Sequence, residues 1–222
     1  MSTRTYGQYC GMARALDLLG ERWALMIVRD LLVAPQRFTD LRRELHGIPS
    51  NVLTTRLKDL ESGGVVRRRV LPRPESGVVY ELTEEGRDLE DVVLALGRWG
   101  SRRLAELHDG DVVTTSSMAM AMRTTFQAQA ADGVDATFEL RLGEIVLSLQ
   151  VRDGELDVQP GEVEQPDARI VAGPELRRLM AGEVDVAEAI AASIVAVEGD
   201  LALLGLFARL FRIGARPERV AV

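Results

Sequence analysis

Residues 47–89, GIPSNVLTTRLKDLESGGVVRRRVLPRPESGVVYELTEEGRDL, change their apolar period after Gly63-Gly64, and that change decides the fold. Up to Gly63-Gly64 the period is helical: Val52, Leu53, Leu57 and Leu60 share one face of a helix over 50–62, with Ser50 as its expected N-cap. The two glycines stop it. Val65 to Leu71 is β-branched and basic, Pro72 to Gly77 is turn chemistry, and Val78 to Leu82 is a returning strand. Thr83 is placed to cap a further helix, whose first turn carries Glu84 and Glu85 in favourable alignment with the dipole. That helix is expected to reach residue 107, with Leu89, Val92, Val93, Leu96, Trp99 and Leu104 as its apolar stripe.

On the N-terminal side, 11–34 reads as two helices broken at Gly20. Met12, Leu16 and Leu19 share a face of the first. Trp23, Leu25, Met26, Ile27, Leu31 and Leu32 make the second largely buried, and Pro35 ends it. Phe38 to Leu45 is a short third helix with Phe38, Leu41 and Leu45 inward. Three helices, a tight connection at 46–49, a fourth helix and a two-stranded ribbon are the parts of a winged helix-turn-helix. The fourth helix would enter a DNA major groove, about 12 Å wide. Its outward side offers Ser50, Asn51, Thr54, Thr55 and Lys58, with Arg56 near the edge. Arg37 and Thr39, at the start of the third helix, and Arg67, Arg69 and Arg73 of the ribbon complete the candidate DNA-binding set. Along a strand Arg67 and Arg69 share one face and Arg68 takes the other.

Charge agrees once it is divided. The net charge is −7, yet residues 1–110 hold 17 basic and 16 acidic side chains while 111–222 hold 10 and 18. Within 36–73 nine basic residues face four acidic ones, and phosphate binding answers to the local field. No apolar run spans a membrane and the first ten residues have no signal-peptide core, so a cytoplasmic address is expected. One cysteine excludes an internal disulfide, and two histidines leave no Cys/His zinc site. No metal and no cofactor are expected.

The run CGMARALDLLGERW (10–23), together with APQRFTDLRREL, GIPSNVLTTRLKDLESGGVVRRRV and VVYELTEEGRDL, resembles the HxlR-type regulators of bacteria over about residues 8–100. The resemblance implies a winged helix, a homodimer and an inverted-repeat operator in double-stranded DNA. In some members of that family the cysteine before the first helix senses electrophiles or oxidants, and Cys10 stands in the matching place. A thiol-based redox sensor acting through Cys10 is therefore the alternative to a ligand-responsive regulator. Cys10 is expected not to be the main sensor, because a second domain offers another input.

That domain follows a polar stretch at 108–117, which divides the chain into 1–108 and 115–222. Met118 to Ala131 is helical in composition. Ala136–Leu142 and Glu144–Val151 alternate with period two, Asp153-Gly154 is a hairpin turn, and Glu155–Gln159, Ala168–Ala172 and Ser193–Val197 are further strands. Helices are expected from Pro174 through Met180, over Val184–Ala192, and from Leu201 to Phe211. The fold class is thus a mainly-α winged helix-turn-helix followed by an α+β domain with an antiparallel sheet. Residues 115–213, with Val-Glu-Gly-Asp before a terminal apolar helix, resemble sterol-carrier-protein-like domains; Ser193 stands where those often have Gly. The resemblance implies an apolar tunnel between sheet and helices. Phe138, Leu147, Leu149, Ile194, Leu203, Leu206, Phe207 and Leu210 are its candidate lining for an apolar small-molecule effector. An enzyme finds no nucleophile–base pair in this sequence, and a plain lipid carrier leaves the basic helix-turn-helix unused.

Overall fold

The computed structural model describes residues 5–101, 104 and 110–214. The chain forms two compact units, Met1–Val93 and Leu94–Val222. The division falls inside a helix, upstream of the polar stretch at 108–117, part of which lies outside the described residues.

In the first unit α1 (Gly11–Leu19), α2 (Ala24–Val33), α3 (Phe38–Glu44) and α4 (Ser50–Ser62) precede the hairpin of β1 (Val66–Leu71) and β2 (Gly77–Leu82). The i, i+4, i+7 spacing of Leu53, Leu57 and Leu60 turns one side of α4 onto Ile27, Val28, Leu31, Leu41 and Leu45, all essentially without solvent contact. α4 begins at Ser50 itself. Pro49 occupies the cap position and supplies only its carbonyl, to Leu53 N–H, so Ser50 is a first-turn residue and not the cap. α1 buries Ala13 and Leu19 and leaves Met12 and Leu16 exposed, and Met26 of α2 is 41 % exposed where a buried side chain was expected.

The expected helix from residue 84 is interrupted. α5 (Glu84–Arg87) ends after one turn and α6 (Glu90–Ser101) starts afresh. Leu89 N–H reaches back only three residues, to Gly86 O, which tightens the chain and resets the helix. Residues 102, 103 and 105–107 of the expected helix lie outside the described residues. Thr83 caps α5 as its sequence promises, accepting Gly86 N–H at 3.0 Å. Gly86 is there for closeness: a Cβ on it would stand 2.1 Å from Val65 O. Gly86→Ala is accordingly expected to destabilise the first unit by about 3 kcal/mol, read as a lower urea midpoint with secondary structure retained.

The second unit carries a five-stranded sheet in the order β5-β4-β3-β6-β7, built from β3 (Ala136–Leu142), β4 (Ile145–Arg152), β5 (Glu155–Pro160), β6 (Ala168–Ala172) and β7 (Val195–Gly199). All expected strands are present, but the sheet is mixed: β3 and β6 pair in parallel, Phe138 opposite Ala168. The reason is the link 161–167, which leaves β5 at one edge and re-enters beside β3. Val163 N–H is held by the Glu139 carboxylate and Asp167 N–H by Thr137 O. α7 (Thr115–Thr125) starts in a Thr114/Ser117 capping box, earlier than its apolar content suggested, and α8 (Leu176–Met180), α9 (Val186–Ala191) and α10 (Leu201–Leu210) follow. Ser193 has φ 55°, the left-handed conformation that glycine favours. Phe138, Leu147, Leu149, Phe207 and Leu210 have no accessible surface, Ile194 is buried, and Leu203 and Leu206 are partly exposed. The Phe138 and Phe207 rings meet edge to face, 5.8 Å apart, so the side chains expected around a tunnel form the core of this unit.

Candidate nucleic-acid interface

The polar side of α4 is uncovered. Ser50, Asn51, Thr54, Thr55 and Lys58 are exposed, as is Thr39 on α3. The two threonines spend their hydroxyl protons on the helix: Thr54 donates to Ser50 O at 2.8 Å and Thr55 to Asn51 O at 2.9 Å. The amide of Asn51, the ammonium of Lys58 and the hydroxyl of Ser50 at the helix start are therefore the donors that this face can extend.

Arg56 is placed otherwise. Its guanidinium meets Asp59 at 2.6 Å and Glu21 at 3.3 Å, which ties α4 to the turn before α2 and directs the group along the protein surface instead of outward. Arg37 is likewise a brace. It donates to Ser76 O at 3.1 Å and to Glu75 O, gripping the turn of the ribbon. The hairpin is held at its base as well, where Gln36 and Tyr80 exchange backbone hydrogen bonds at 3.0 and 2.8 Å.

Strand alternation settles the ribbon arginines. Arg67 and Arg69 both reach Glu81, at 2.8 and 2.7 Å, while Arg68 turns to the other face and meets Glu61 at 2.8 Å. The Glu81 carboxylate is buried beneath arginines that are 62 % and 45 % exposed. Hydrogen bonding from Arg69, opposed by burial and reinforced by Arg67, holds Glu81 below the usual carboxylate range. One fixed negative charge thus orients two guanidinium groups and leaves their remaining N–H donors to solvent. Arg73 is exposed at the ribbon turn. Sequence reasoning missed Glu81, Glu21 and Gln36. Only the Arg67–Glu81 register, derivable from the hairpin's turn, could have signalled the first of them.

The first unit also holds a buried acid. Asp30 of α2 has no accessible surface and bonds Arg29 at 2.7 Å, and its Oδ2 has no hydrogen-bond partner among the described residues. Burial, partly offset by Arg29 and assisted by the charge of Glu44, pushes it from 3.8 up to about 6. An acid whose pKa rises on folding favours the fold only while protonated. Its contribution is complete below 3.8 and lost as pH rises through about 6. The ceiling on that loss is about 3 kcal/mol. Asp30→Asn is expected to raise stability at pH 8 by about 1–3 kcal/mol, and by much less at pH 5, in urea titrations at both values.

The order of helices, ribbon and basic face matches one family. The sequence profile of the HxlR-like helix-turn-helix fits residues 18–108. Among curated relatives, YvaP of Bacillus subtilis is 36 % identical over 88 residues, which are 40 % of this chain and 82 % of YvaP. The chain belongs to the HxlR-like helix-turn-helix family. YodB of the same organism is 36 % identical over 91 residues, 41 % of this chain and 81 % of YodB. The solved reduced form of YodB is 33 % identical, with 47 % of this chain and all of that one covered, at a TM-score of 0.39. As an HxlR-family protein the chain is a DNA-binding transcriptional regulator whose helix-turn-helix lies in its N-terminal half. The matched segments of YvaP and YodB leave more than half of the chain outside them, and the family profile ends at residue 108, before the mixed sheet.

Proposed function

We propose that this regulator binds an inverted-repeat operator as a homodimer, with α4 in the major groove and the β1–β2 ribbon along the flanking phosphates. The observation that carries the reading is the uncovered α4 face, Asn51 to Lys58, beside ribbon arginines whose orientation Glu81 fixes. Two half-sites supply the specificity that a single recognition helix lacks. A second copy would cover Met12 and Leu16 on α1 and Val92 and Leu96 on α6, a helix with no fully buried residue. Selection of binding sites from random duplex tests the whole reading. A palindromic consensus is expected, bound by two chains, with affinity falling steeply as salt rises above about 100 mM. Affinity for the best selected duplex no greater than for random duplex would overturn it.

The second unit we read as a sterol-carrier-protein-like sensory domain, 115–222, for an apolar effector. Its Val-Glu-Gly-Asp pattern and its α+β order support this. Binding would require the packed Phe138, Leu149 and Phe207 to part, so a labelled fatty acid should bind slowly and release the operator. A second reading rests on Cys10, exposed at the start of α1 where some HxlR-type regulators sense electrophiles. Under it diamide releases the wild type from DNA and leaves Cys10→Ser bound. Under the first reading Cys10→Ser responds to its effector as the wild type does.

A further inference from the structure

Within the second unit a cavity of about 210 Å³ opens among Arg98, Ser101, Thr124, Phe126, Gln127 and Arg212. No carboxylate lines it among the described residues, although this half of the chain carries 10 basic and 18 acidic side chains. Nearly every other described arginine of the unit is committed: Arg141 and Arg169 to Glu139, Arg152 to Asp135, Arg177 and Arg178 to Glu183. The guanidinium groups of Arg98 and Arg212 have no hydrogen-bond or ion-pair partner among the described residues.

The walls are set by backbone. Phe126 and Phe211 pair as a bridge, with Gln127 N–H on Leu210 O at 2.8 Å and Arg212 N–H on Thr125 O at 2.9 Å. Ile213 N–H is held by Met180 O at 2.9 Å, so Arg212 is fixed from both sides. Gln127 is oriented through its Nε2, which donates to Thr125 O at 2.8 Å. Gly97 allows α6 to lie against the end of α7, since a Cβ there would stand 2.9 Å from Thr124 Oγ1. Arg98 and Arg212, the Thr124 hydroxyl and the Gln127 amide thus line one cavity beside Phe126, while the Ser101 hydroxyl is held by Arg98 O at 3.0 Å.

We propose that this pocket binds a small molecule through an oxyanion, a carboxylate or a phosphate, with a compact apolar portion against Phe126. Charge-assisted bonds from paired guanidinium groups are the strongest recognition available to such an anion. The site adjoins the aromatic core, since the Phe126 ring packs on Phe211 and Phe211 on Phe207, but Phe138 and Phe207 do not line it, and it does not depend on how the first unit reads DNA.

Calorimetric titration of the full chain with sodium benzoate, inorganic phosphate and neutral benzamide tests it. At least one anion should saturate below about 10 mM, and benzamide should not bind. Saturation by benzoate alone assigns an organic carboxylate, and by phosphate alone a phosphate group. Arg98→Gln and Arg212→Gln should each weaken binding at least about tenfold, while Arg98→Lys should recover part of the loss. Arg152→Gln, on an exposed pair, should change nothing. Should Arg212→Gln fail to fold, Arg98→Gln and Arg98→Lys still decide. Saturation by neither anion, equal binding of benzamide, or undiminished affinity in Arg98→Gln would overturn the proposal.

Discussion

Glu139→Ala should cost the second unit about 3–5 kcal/mol, a large share of the roughly 5–15 kcal/mol by which a domain is ordinarily stable. Glu139 sits in the middle of β3 with no accessible surface, and its carboxylate accepts three hydrogen bonds. Val163 N–H at 2.7 Å anchors the link that crosses from β5 to β6, Arg141 joins at 2.7 Å, and Arg169 reaches it from the neighbouring parallel strand. Removing the carboxylate leaves two guanidinium groups facing each other and a backbone N–H without its acceptor, while Glu162 and Glu198 hold the outer ends of the same arginines. The loss is of a charge centre, which is dearer than the loss of a neutral hydrogen bond.

The same residue sets an acid limit. Burial would raise Glu139, but the bonds from Val163, Arg169 and Arg141 outweigh it and hold it at about 2 against an ordinary 4.5. A lowered folded-state pKa stabilises above the unfolded value, and the contribution is lost as pH falls from 4.5 toward 2. The arginines over the carboxylate are partly exposed and screen the interaction, so about 3 kcal/mol is a ceiling for this term. Urea titrations followed by circular dichroism should show the wild type losing stability over that interval and Glu139→Gln losing much less. A Glu139→Ala protein within 1 kcal/mol of wild type would show that the link is held by other means.

What the sequence made legible was local. The inward leucines of α4, the cap at Thr83 and the alternation that parts Arg68 from Arg67 and Arg69 each depend on neighbours a few residues away, and each appears in the structure. Partners distant in sequence were not legible. Arg56 looks like an outward arginine until Glu21 comes beside it, and Arg37 until the ribbon turn folds back onto it. Strand patterns carry no information about which strand lies alongside, so the parallel β3–β6 pair was hidden although both strands were foreseen. The apolar surplus of α10 is ambiguous for a related reason: a tunnel and a packed core have the same composition, and only the meeting of Phe138, Phe207 and Phe211 distinguishes them.

Asn51→Asp combined with Lys58→Glu should cost DNA binding about 4 kcal/mol, roughly a thousandfold, without altering the fold. Both side chains are exposed and bond nothing that holds α4 in place, so stability should stay within about 0.5 kcal/mol of wild type. Binding is different, because Asn51 and Lys58 are the long donors left to the helix, beside the Ser50 hydroxyl, once Thr54 and Thr55 have turned their hydroxyls to backbone carbonyls. The substitutions replace a donor and a cation with two anions facing phosphate, where repulsion adds to the lost contacts. Anisotropy on the best selected duplex should report the loss, and Lys58→Ala alone should lower the slope of log affinity against log salt by about 1. Arg56→Ala is the instructive contrast. Its guanidinium is bound to Asp59 and Glu21, so its effect should appear first in stability and only through the position of α4 in affinity. If instead Arg56→Ala abolished binding at unchanged stability while the double variant bound normally, α4 would meet DNA along its Arg56 edge, and the placement of the groove against Asn51 and Lys58 would be wrong.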